Sequence, residues 1–222
     1  MKFSCLVLIM SLFCGIMFFS CASTQKAENP KSYTIVTLQN DTEYLVAKVD
    51  YPQFLGFETL NQEISSFVSI DYTEFKKDSQ ENFGEFEQIW EQPIQSSYYI
   101  DSEIIESENY KSILLTKWTY SSGAAHGLVS YKTFTWNIKE GRLEDAQTVS
   151  KMSYTELSDA CRSSLLREHT EFERDWVYSG TEPIPETFEN FTTDEKTISI
   201  YFEPYEVAAY AAGPQIVTLK IK

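Results

Sequence analysis

Residues 201–213 have the sequence Tyr-Phe-Glu-Pro-Tyr-Glu-Val-Ala-Ala-Tyr-Ala-Ala-Gly. This segment lies between two runs in which apolar residues alternate as they do in β-strands, one ending at Phe202 and the other covering residues 216–221. Its four aromatic residues, with one proline and one glycine, are typical of a connection that a rigid sheet holds in one shape. We therefore predict an exposed, tyrosine-rich loop between the last two strands of a sheet.

Alternating apolar residues predict further strands upstream of this loop. These strands are expected over residues 33–38, 43–51, 94–106, 110–120 and 127–138. Pro52 is expected to end the second of them. Except between the second strand and the third, only short segments separate these strands, which favours antiparallel neighbours.

Two segments have the pattern of amphipathic helices. In the first, residues 59–77, Thr59 and Gln62 have the spacing of a capping box. In the second, residues 153–169, Ser153 and Glu156 have the same spacing. Residues 175–190 contain a glycine and two prolines and are predicted to form an exposed loop. Together these patterns predict an α+β fold, with a mostly antiparallel sheet and two principal helices packed on one face.

The amino terminus has the pattern of a bacterial lipoprotein signal over residues 1–20. A nearly unbroken apolar run is followed by Cys21 and by small residues, which predicts lipidation of Cys21 and a polar tether over residues 21–32. Cleavage after Ser23, which would give a soluble secreted protein, is the alternative. Either reading places the folded domain outside the cytoplasm, and lipidation of Cys21 would anchor it in the bacterial cell envelope. Only Cys161 is then left in the mature domain, within the second helix, so we expect a buried thiol and no internal disulfide.

The charge balance limits the kinds of partner. The chain has 18 basic and 33 acidic residues, which gives a net charge of −15. Nucleic acid is not expected as a partner because phosphate binding requires the opposite charge. Contact with the membrane is expected through the lipid anchor only, whereas a cationic protein would be attracted.

No motif for catalysis, a metal or a cofactor is present. The only histidines are His126 and His169, and zinc-hydrolase spacings, a nucleophile elbow and nucleotide-binding loops are missing. Ser121 or Ser122 beside His126 is a weak pattern for a serine nucleophile, and Glu203 with a second acid is an equally weak pattern for a glycosidase. We therefore expect a protein that is not an enzyme, with no catalytic residue, metal or cofactor.

Two motifs resemble the RsiV-like extracytoplasmic domain family, which includes a lysozyme-sensing anti-sigma factor and bacterial lipoproteins. They are residues 118–127, Trp-Thr-Tyr-Ser-Ser-Gly-Ala-Ala-His-Gly, and residues 201–213. The resemblance divides the chain into an N-terminal companion lobe, residues 33–105, and a C-terminal RsiV-like module, residues 106–222. A chain anchored at Cys21 on one side of a membrane is not expected to hold a sigma factor on the other side.

The resemblance implies a ligand-binding surface and nominates its residues. By position in the motifs these are Ser122, Gly123, His126, Pro204, Tyr205 and Tyr210. The partners that it implies are a cationic protein such as lysozyme, or peptidoglycan and other glycans. For His126, a role in holding the turn between Gly123 and Gly127 is an open alternative to ligand contact. For the whole protein, a structural or assembly lipoprotein that binds another envelope protein is the alternative to a ligand-binding module.

Overall fold

A six-stranded sheet occupies the first half of the folded chain, as seen in a computed structural model that describes residues 32–83 and 94–222. The strands follow one another in sequence order across the sheet, and every neighbouring pair is antiparallel except β2 and β3, which are parallel. Their bounds are β1 Tyr33–Asp41, β2 Leu45–Phe54, β3 Ser96–Glu106, β4 Tyr110–Tyr120, β5 Leu128–Asn137 and β6 Arg142–Leu143. The five predicted strands are thereby confirmed, within a few residues at their ends.

Helix α1 (Glu58–Glu81) packs on one face of this sheet. Leu60 and Ile64 are completely buried, and Val68 joins them one turn later. They contact the alternate strand residues that point to the same face. These core residues include Leu45, Val49, Tyr98, Ile100, Ile113, Leu115, Phe134 and Trp136.

The prediction of a capping box at the start of α1 is wrong. The N-cap residue is Phe57, which makes no side-chain cap, and Thr59 already lies within the helix. A tertiary contact anchors the helix start instead. The Asn61 side chain accepts a hydrogen bond from the Phe54 N–H at 2.8 Å and donates one to the Phe54 carbonyl at 2.7 Å.

Strand β2 continues through Pro52, although this proline was expected to end it. The Leu55 N–H donates to the Ser32 carbonyl at 3.3 Å, and the pairing alternates from there, so the nitrogen of Pro52 faces away from β1. On that other side β2 is paired with β3 only from Leu45 to Val49. The missing N–H of proline therefore removes no bond of the sheet.

The second half of the chain forms a smaller antiparallel sheet with its own core. Its strands are β7 (Phe191–Thr193), β8 (Thr197–Phe202) and β9 (Gln215–Lys220), and its helices are α2 (Ala146–Ser150), α3 (Tyr154–Glu168) and α4 (Arg174–Ser179). The α+β class is thus confirmed, with α1 packed on the large sheet and α3 on the small one. The sequence patterns did not predict α2, β6 or β7.

Local sequence predicted α3 correctly and the segment after it incorrectly. Ser153 and Glu156 form the predicted capping box, and Cys161 is buried as expected, together with Leu157 and Leu165. The exposed loop predicted over residues 175–190 is wrong. That segment contains most of α4 and a short 3-10 turn, Pro185–Phe188, and it buries Val177, Thr181 and Phe188. Glycine and proline marked its turns correctly but gave no sign that the side chains between them enter the core.

Side chains from the second half satisfy the open edge of the large sheet. Strand β6 pairs with β5 only at Trp136 and Asn137, so the rest of that edge has no strand partner. The Tyr131 N–H donates to Glu203 Oε1 at 2.8 Å, and the Thr133 N–H donates to Asn190 Oδ1 at 3.2 Å. These bonds pair partly buried donors and close an edge that would otherwise be open to another strand.

Residues 32–222 form one compact unit. The large sheet continues across residue 106 through the hairpin between β3 and β4, and the proposed lobe division at that residue stays a prediction. The predicted signal segment, the tether and Cys21 lie outside the described residues. Within residues 32–83 and 94–222, no helix combines the length and the apolar character needed to cross a membrane.

Candidate functional site

Two loops bring three of the nominated side chains together at the surface. The loop after β4 supplies His126, and the loop between β8 and β9 supplies Tyr205 and Tyr210. The His126 ring is stacked on Tyr210, with 3.8 Å between ring centroids and 22° between ring planes. The two tyrosine rings lie 5.5 Å apart. We call His126, Tyr205 and Tyr210 the Tyr–His cluster.

Hydrogen bonds fix the orientation of these rings. The His126 Nδ1 lies 2.9 Å from the Gly127 carbonyl, and the Tyr210 hydroxyl donates to the same carbonyl at 2.7 Å. Because a carbonyl only accepts, the Nδ1 atom must carry the proton in this contact. In the neutral ring Nε2 then accepts from the Tyr205 hydroxyl, 3.3 Å away. His126 therefore holds its turn and also presents a ring at the surface, so its two alternative roles are compatible.

Tyr205 has an unfavourable backbone conformation. Its φ angle is +76°, in the left-handed region that side-chain-bearing residues avoid, and its side chain is nevertheless 49% exposed. The Trp176 indole N–H on α4 donates to the Tyr205 carbonyl at 2.8 Å. A backbone held this way costs about 1–2 kcal/mol, which other contacts must offset.

Gly180 allows α4 to lie directly against this loop. A Cβ atom at Gly180 would lie 1.9 Å from the carbonyl oxygen of Glu206, so only glycine permits the observed approach. Gly127 plays a similar part on the other loop, where a Cβ would lie 2.7 Å from the Trp118 ring. Both loops are therefore shaped by close backbone contacts as well as by their hydrogen bonds.

Two carboxylates brace the base of the loop. Glu206 Oε2 accepts from the Glu203 N–H at 2.6 Å, and Glu203 in turn caps the edge of β5 at Tyr131. Loss of water around each carboxylate raises the pKa of both groups, and the hydrogen bonds that they accept only partly oppose this. Glu203 also lines a cleft of about 320 Å³ with Lys117 and Tyr131. Its carboxylate is already committed to a backbone donor, which indicates a structural task.

The remaining nominated residues lie beside the cluster. The Ser122 N–H donates to Ser96 Oγ at 3.1 Å, and Gly123 has a φ angle of +82°, so both form the turn that presents His126. Pro204 is half-buried and precedes the strained Tyr205. In the described part of the chain, no group of three or more His, Cys, Asp or Glu side chains is arranged to hold a metal ion.

The sequence patterns did not nominate Trp176, Gly180 or Gly127 as site residues. Trp176 and Gly180 lie more than twenty positions before Tyr205, and no local spacing connects them with it. Gly127 belongs to the quoted motif, and its small size next to aromatic residues was the one available signal. That the nominated residues contact a ligand stays a prediction.

Comparison with known families relates the C-terminal part of the chain to one of them. Residues 139–222 match the family described as "Protein of unknown function (DUF3298)". Tyr205 and Tyr210 lie inside the matched range, and His126 lies before it. The finer resemblance to the RsiV-like family is compatible with this match and stays a prediction.

Among curated proteins, the chain is similar to the peptidoglycan-N-acetylmuramic acid deacetylase PdaC of Bacillus subtilis. The two are 27% identical over 202 residues, which covers 84% of this chain and 39% of the deacetylase. The chain therefore spans about two fifths of the length of this relative.

Two solved structures of DUF3298 family members have a similar fold. The Bacteroides fragilis structure gives a TM-score of 0.61 at 17% identity and covers 85% of this chain and 89% of its own. The Pseudomonas aeruginosa structure gives a TM-score of 0.59 at 13% identity and covers 87% and 91%, respectively. At these identities the similarity shows the fold alone.

Proposed function

We propose that the protein is a non-catalytic binding module of the bacterial cell envelope and that its ligand contacts the Tyr–His cluster. The similarity to a peptidoglycan deacetylase supports a role at the cell wall. An extracytoplasmic location, with a lipid anchor at Cys21, belongs to the same proposal and rests on the signal pattern of residues 1–20.

The observation that carries the proposal is the half-exposed Tyr205 ring on a strained backbone. A tyrosine in this conformation lowers the stability of the fold, yet Trp176 and Gly180 hold the loop in place. Strain of this kind is concentrated at sites that bind ligands, because there the shape of the loop matters more than its stability. Rigid, exposed tyrosines give a large contact area while losing little entropy on binding.

A glycan of the cell wall is the ligand that we infer. One face of a sugar ring consists mostly of C–H groups and packs on an aromatic ring, while its hydroxyl groups need donors and acceptors nearby. The cluster offers ring faces and acceptors, because each tyrosine hydroxyl has donated its proton within the cluster and keeps lone pairs that can accept from a sugar hydroxyl. Both His126 nitrogens are engaged within the cluster, which supports binding over a role as a catalytic base.

A cationic lysozyme-like protein is the second candidate, and the net charge of −15 favours it. Opposite charges speed the encounter of two proteins, and exposed tyrosines are frequent anchors in protein interfaces. High salt separates two cases, because it screens the general attraction between opposite charges. Binding through a complementary interface largely persists in salt.

Calorimetric titration of the purified protein with soluble peptidoglycan fragments, and separately with a cationic lysozyme at low and high salt, tests the proposal. We expect binding of the glycan, weakened by about 2 kcal/mol in Tyr205→Ala because a central aromatic anchor is lost. Tyr178→Ala is the matched control, since Tyr178 is also 49% exposed but lies outside the cluster.

The outcomes separate the candidates. If folded Tyr205→Ala binds the glycan as the wild type does, the cluster is not the site. Salt-resistant binding of lysozyme alone, lost in Tyr205→Ala, would make the protein ligand the correct one. Absence of binding to both would remove the binding-module proposal.

A further inference from the structure

A second pair of exposed aromatic rings lies next to the Tyr–His cluster. Tyr99 on β3 and Trp118 on β4 are direct neighbours in the sheet, with ring centroids 5.7 Å apart. Both point to the face opposite α1, because the adjacent residues Tyr98 and Ile100 point into the core beneath that helix. They are 36% and 39% exposed.

Gly127 joins this pair to the cluster. The Trp118 ring packs against the backbone of Gly127, where a Cβ would be only 2.7 Å from the ring. The carbonyl of Gly127 accepts the hydrogen bond from the Tyr210 hydroxyl. Tyr99, Trp118, Gly127 and the Tyr–His cluster therefore form a continuous surface, which we call the aromatic band.

The aromatic band crosses the strands and does not follow them. Neighbouring strands are about 4.8 Å apart, so the step from the edge of β5 over β4 to β3 extends the surface by roughly 10 Å beyond the cluster. At its far end lies Lys48 on β2, which pairs with Tyr99 in the sheet and forms a 2.8 Å ion pair with Asp50. The band thus ends beside charged groups of both signs, Lys48 with Asp50 and with Asp101 close to it, which donate and accept hydrogen bonds.

We propose that the aromatic band is one extended site for a linear, uncharged glycan strand, with the Tyr–His cluster and the Tyr99–Trp118 pair holding different sugar units. This inference rests on the proposed function and assigns its substrate class. A single sugar or short fragment contacts the cluster alone. A longer strand gains the second pair of rings.

The geometry favours a glycan over a peptide as the occupant. A peptide that binds a sheet through its main chain runs along an unpaired strand edge. Here β4 is paired on both sides, and β3 is paired with β4 throughout the band. The band therefore offers ring faces and side-chain polar groups but no free main-chain edge. A chain of sugar rings uses these features unit by unit.

Titration with soluble β-1,4-linked N-acetylglucosamine oligomers, from the disaccharide to the hexasaccharide, tests the inference on the purified protein. Affinity should rise with chain length. Tyr99→Ala, which leaves the contact between Trp118 and Gly127 in place, should weaken the binding of the hexasaccharide by about tenfold and leave that of the disaccharide unchanged. Tyr205→Ala should weaken the binding of every oligomer. Trp118→Ala should also weaken the binding of the hexasaccharide, with the disaccharide showing how far the loss of its contact with Gly127 disturbs the cluster.

Each alternative outcome is decisive. If all oligomers bind equally well through Tyr205, and both Trp118→Ala and Tyr99→Ala leave them unaffected, the extended site is wrong and the proposed function survives. If no oligomer binds while peptidoglycan fragments do, the ligand is a different part of the cell wall and the extended site is overturned. If only lysozyme binds, the glycan assignment fails for the cluster and the band together.

Discussion

Tyr98 and Tyr205 are the same residue type in opposite situations. Tyr98 is completely buried beneath α1, with Tyr72 and Phe75 at ring-centroid distances of 5.6 and 5.2 Å, and its hydroxyl donates to Asp71 at 2.5 Å. Tyr205 is half exposed on a left-handed backbone, and its hydroxyl reaches only the exposed His126.

The two tyrosines differ in their relation to the fold: Tyr98 stabilises it, whereas Tyr205 is held in place by it. Tyr98 stabilises the fold by removing a large apolar surface from water, and its burial beside Asp71 raises the pKa of its hydroxyl. Tyr205 contributes little apolar burial and requires a strained backbone, so the fold must stabilise it through Trp176 and Gly180. Stability and ligand binding are therefore expected to depend on different tyrosines.

The largest expected effect is that of Tyr98→Ala on stability. Truncation of a buried aromatic residue should lower the free energy of unfolding by about 3–5 kcal/mol, because burial is lost and a cavity remains. Tyr205→Ala should change it by less than about 0.5 kcal/mol, as expected for a surface residue. Urea denaturation of both variants measures the contrast.

Tyr98→Phe is the matched control within the core. It keeps the ring and removes only the hydrogen bond to Asp71, which still has its 2.7 Å ion pair with Lys117. A loss of about 1 kcal/mol is expected. Equal losses of unfolding free energy for Tyr98→Ala and Tyr205→Ala would contradict the conclusion that Tyr98 stabilises the fold and Tyr205 does not.

Gly180→Ala is expected to damage both properties. The added Cβ would overlap the Glu206 backbone, so the loop that carries Tyr205 must shift, and the overlap should cost about 1–3 kcal/mol of stability. Ligand binding should fall with it. Thermal denaturation and the titrations described above measure the two effects.

Gly141→Ala is the control for Gly180→Ala, because it introduces backbone strain without steric overlap. Gly141 has a φ angle of +65° but open space around its Cβ position, so alanine there should cost about 1 kcal/mol of stability and leave binding unchanged. Wild-type binding by Gly180→Ala would show that the contact with α4 does not shape the loop.

The smallest expected effect is that of Glu203→Gln, and it depends on pH. Because the folded state raises the pKa of Glu203, its stabilising contribution is present below the ordinary carboxyl range and is lost as pH rises through the raised pKa. Glutamine keeps an acceptor for the Tyr131 N–H and carries no charge. At neutral pH the variant should therefore equal or exceed the wild type in stability, by less than about 1 kcal/mol.

Urea denaturation at acidic and neutral pH measures this change. In acid, where Glu203 is protonated, the difference between variant and wild type should disappear. A variant that is less stable than the wild type only at neutral pH would mean that the charge of Glu203 supports the fold.

Prediction from sequence succeeded where a few neighbouring residues contain all the information. The Ser153–Glu156 box is complete within four residues, and both of its bonds form in the structure. A hydrogen bond from Lys222, followed by the bonds of the box, lowers the pKa of Glu156 to about 2. The start of α1 failed because Thr59 and Gln62 have the correct spacing, but Asn61 connects the helix to the end of β2 instead.

For the candidate site as well, local sequence predicted some of the residues and missed others. Two motifs nominated its residues, and three of them, His126, Tyr205 and Tyr210, do meet at the surface, while Ser122, Gly123 and Pro204 lie beside them. Their supports were not found, because Trp176 and Gly180 belong to a segment whose composition predicted only a loop. The Tyr99–Trp118 pair likewise depends on the register of β3 and β4.

The sequence by itself determined the α+β class, most strands, the start of α3 and the tyrosine-rich loop, because these depend on periodicity and on bonds between near neighbours. Only the tertiary structure decided the division into two sheets, the left-handed conformation of Tyr205 and the continuity of the aromatic band. These features arise when residues far apart in the chain exclude water or approach more closely than a Cβ would allow. No local pattern records such contacts.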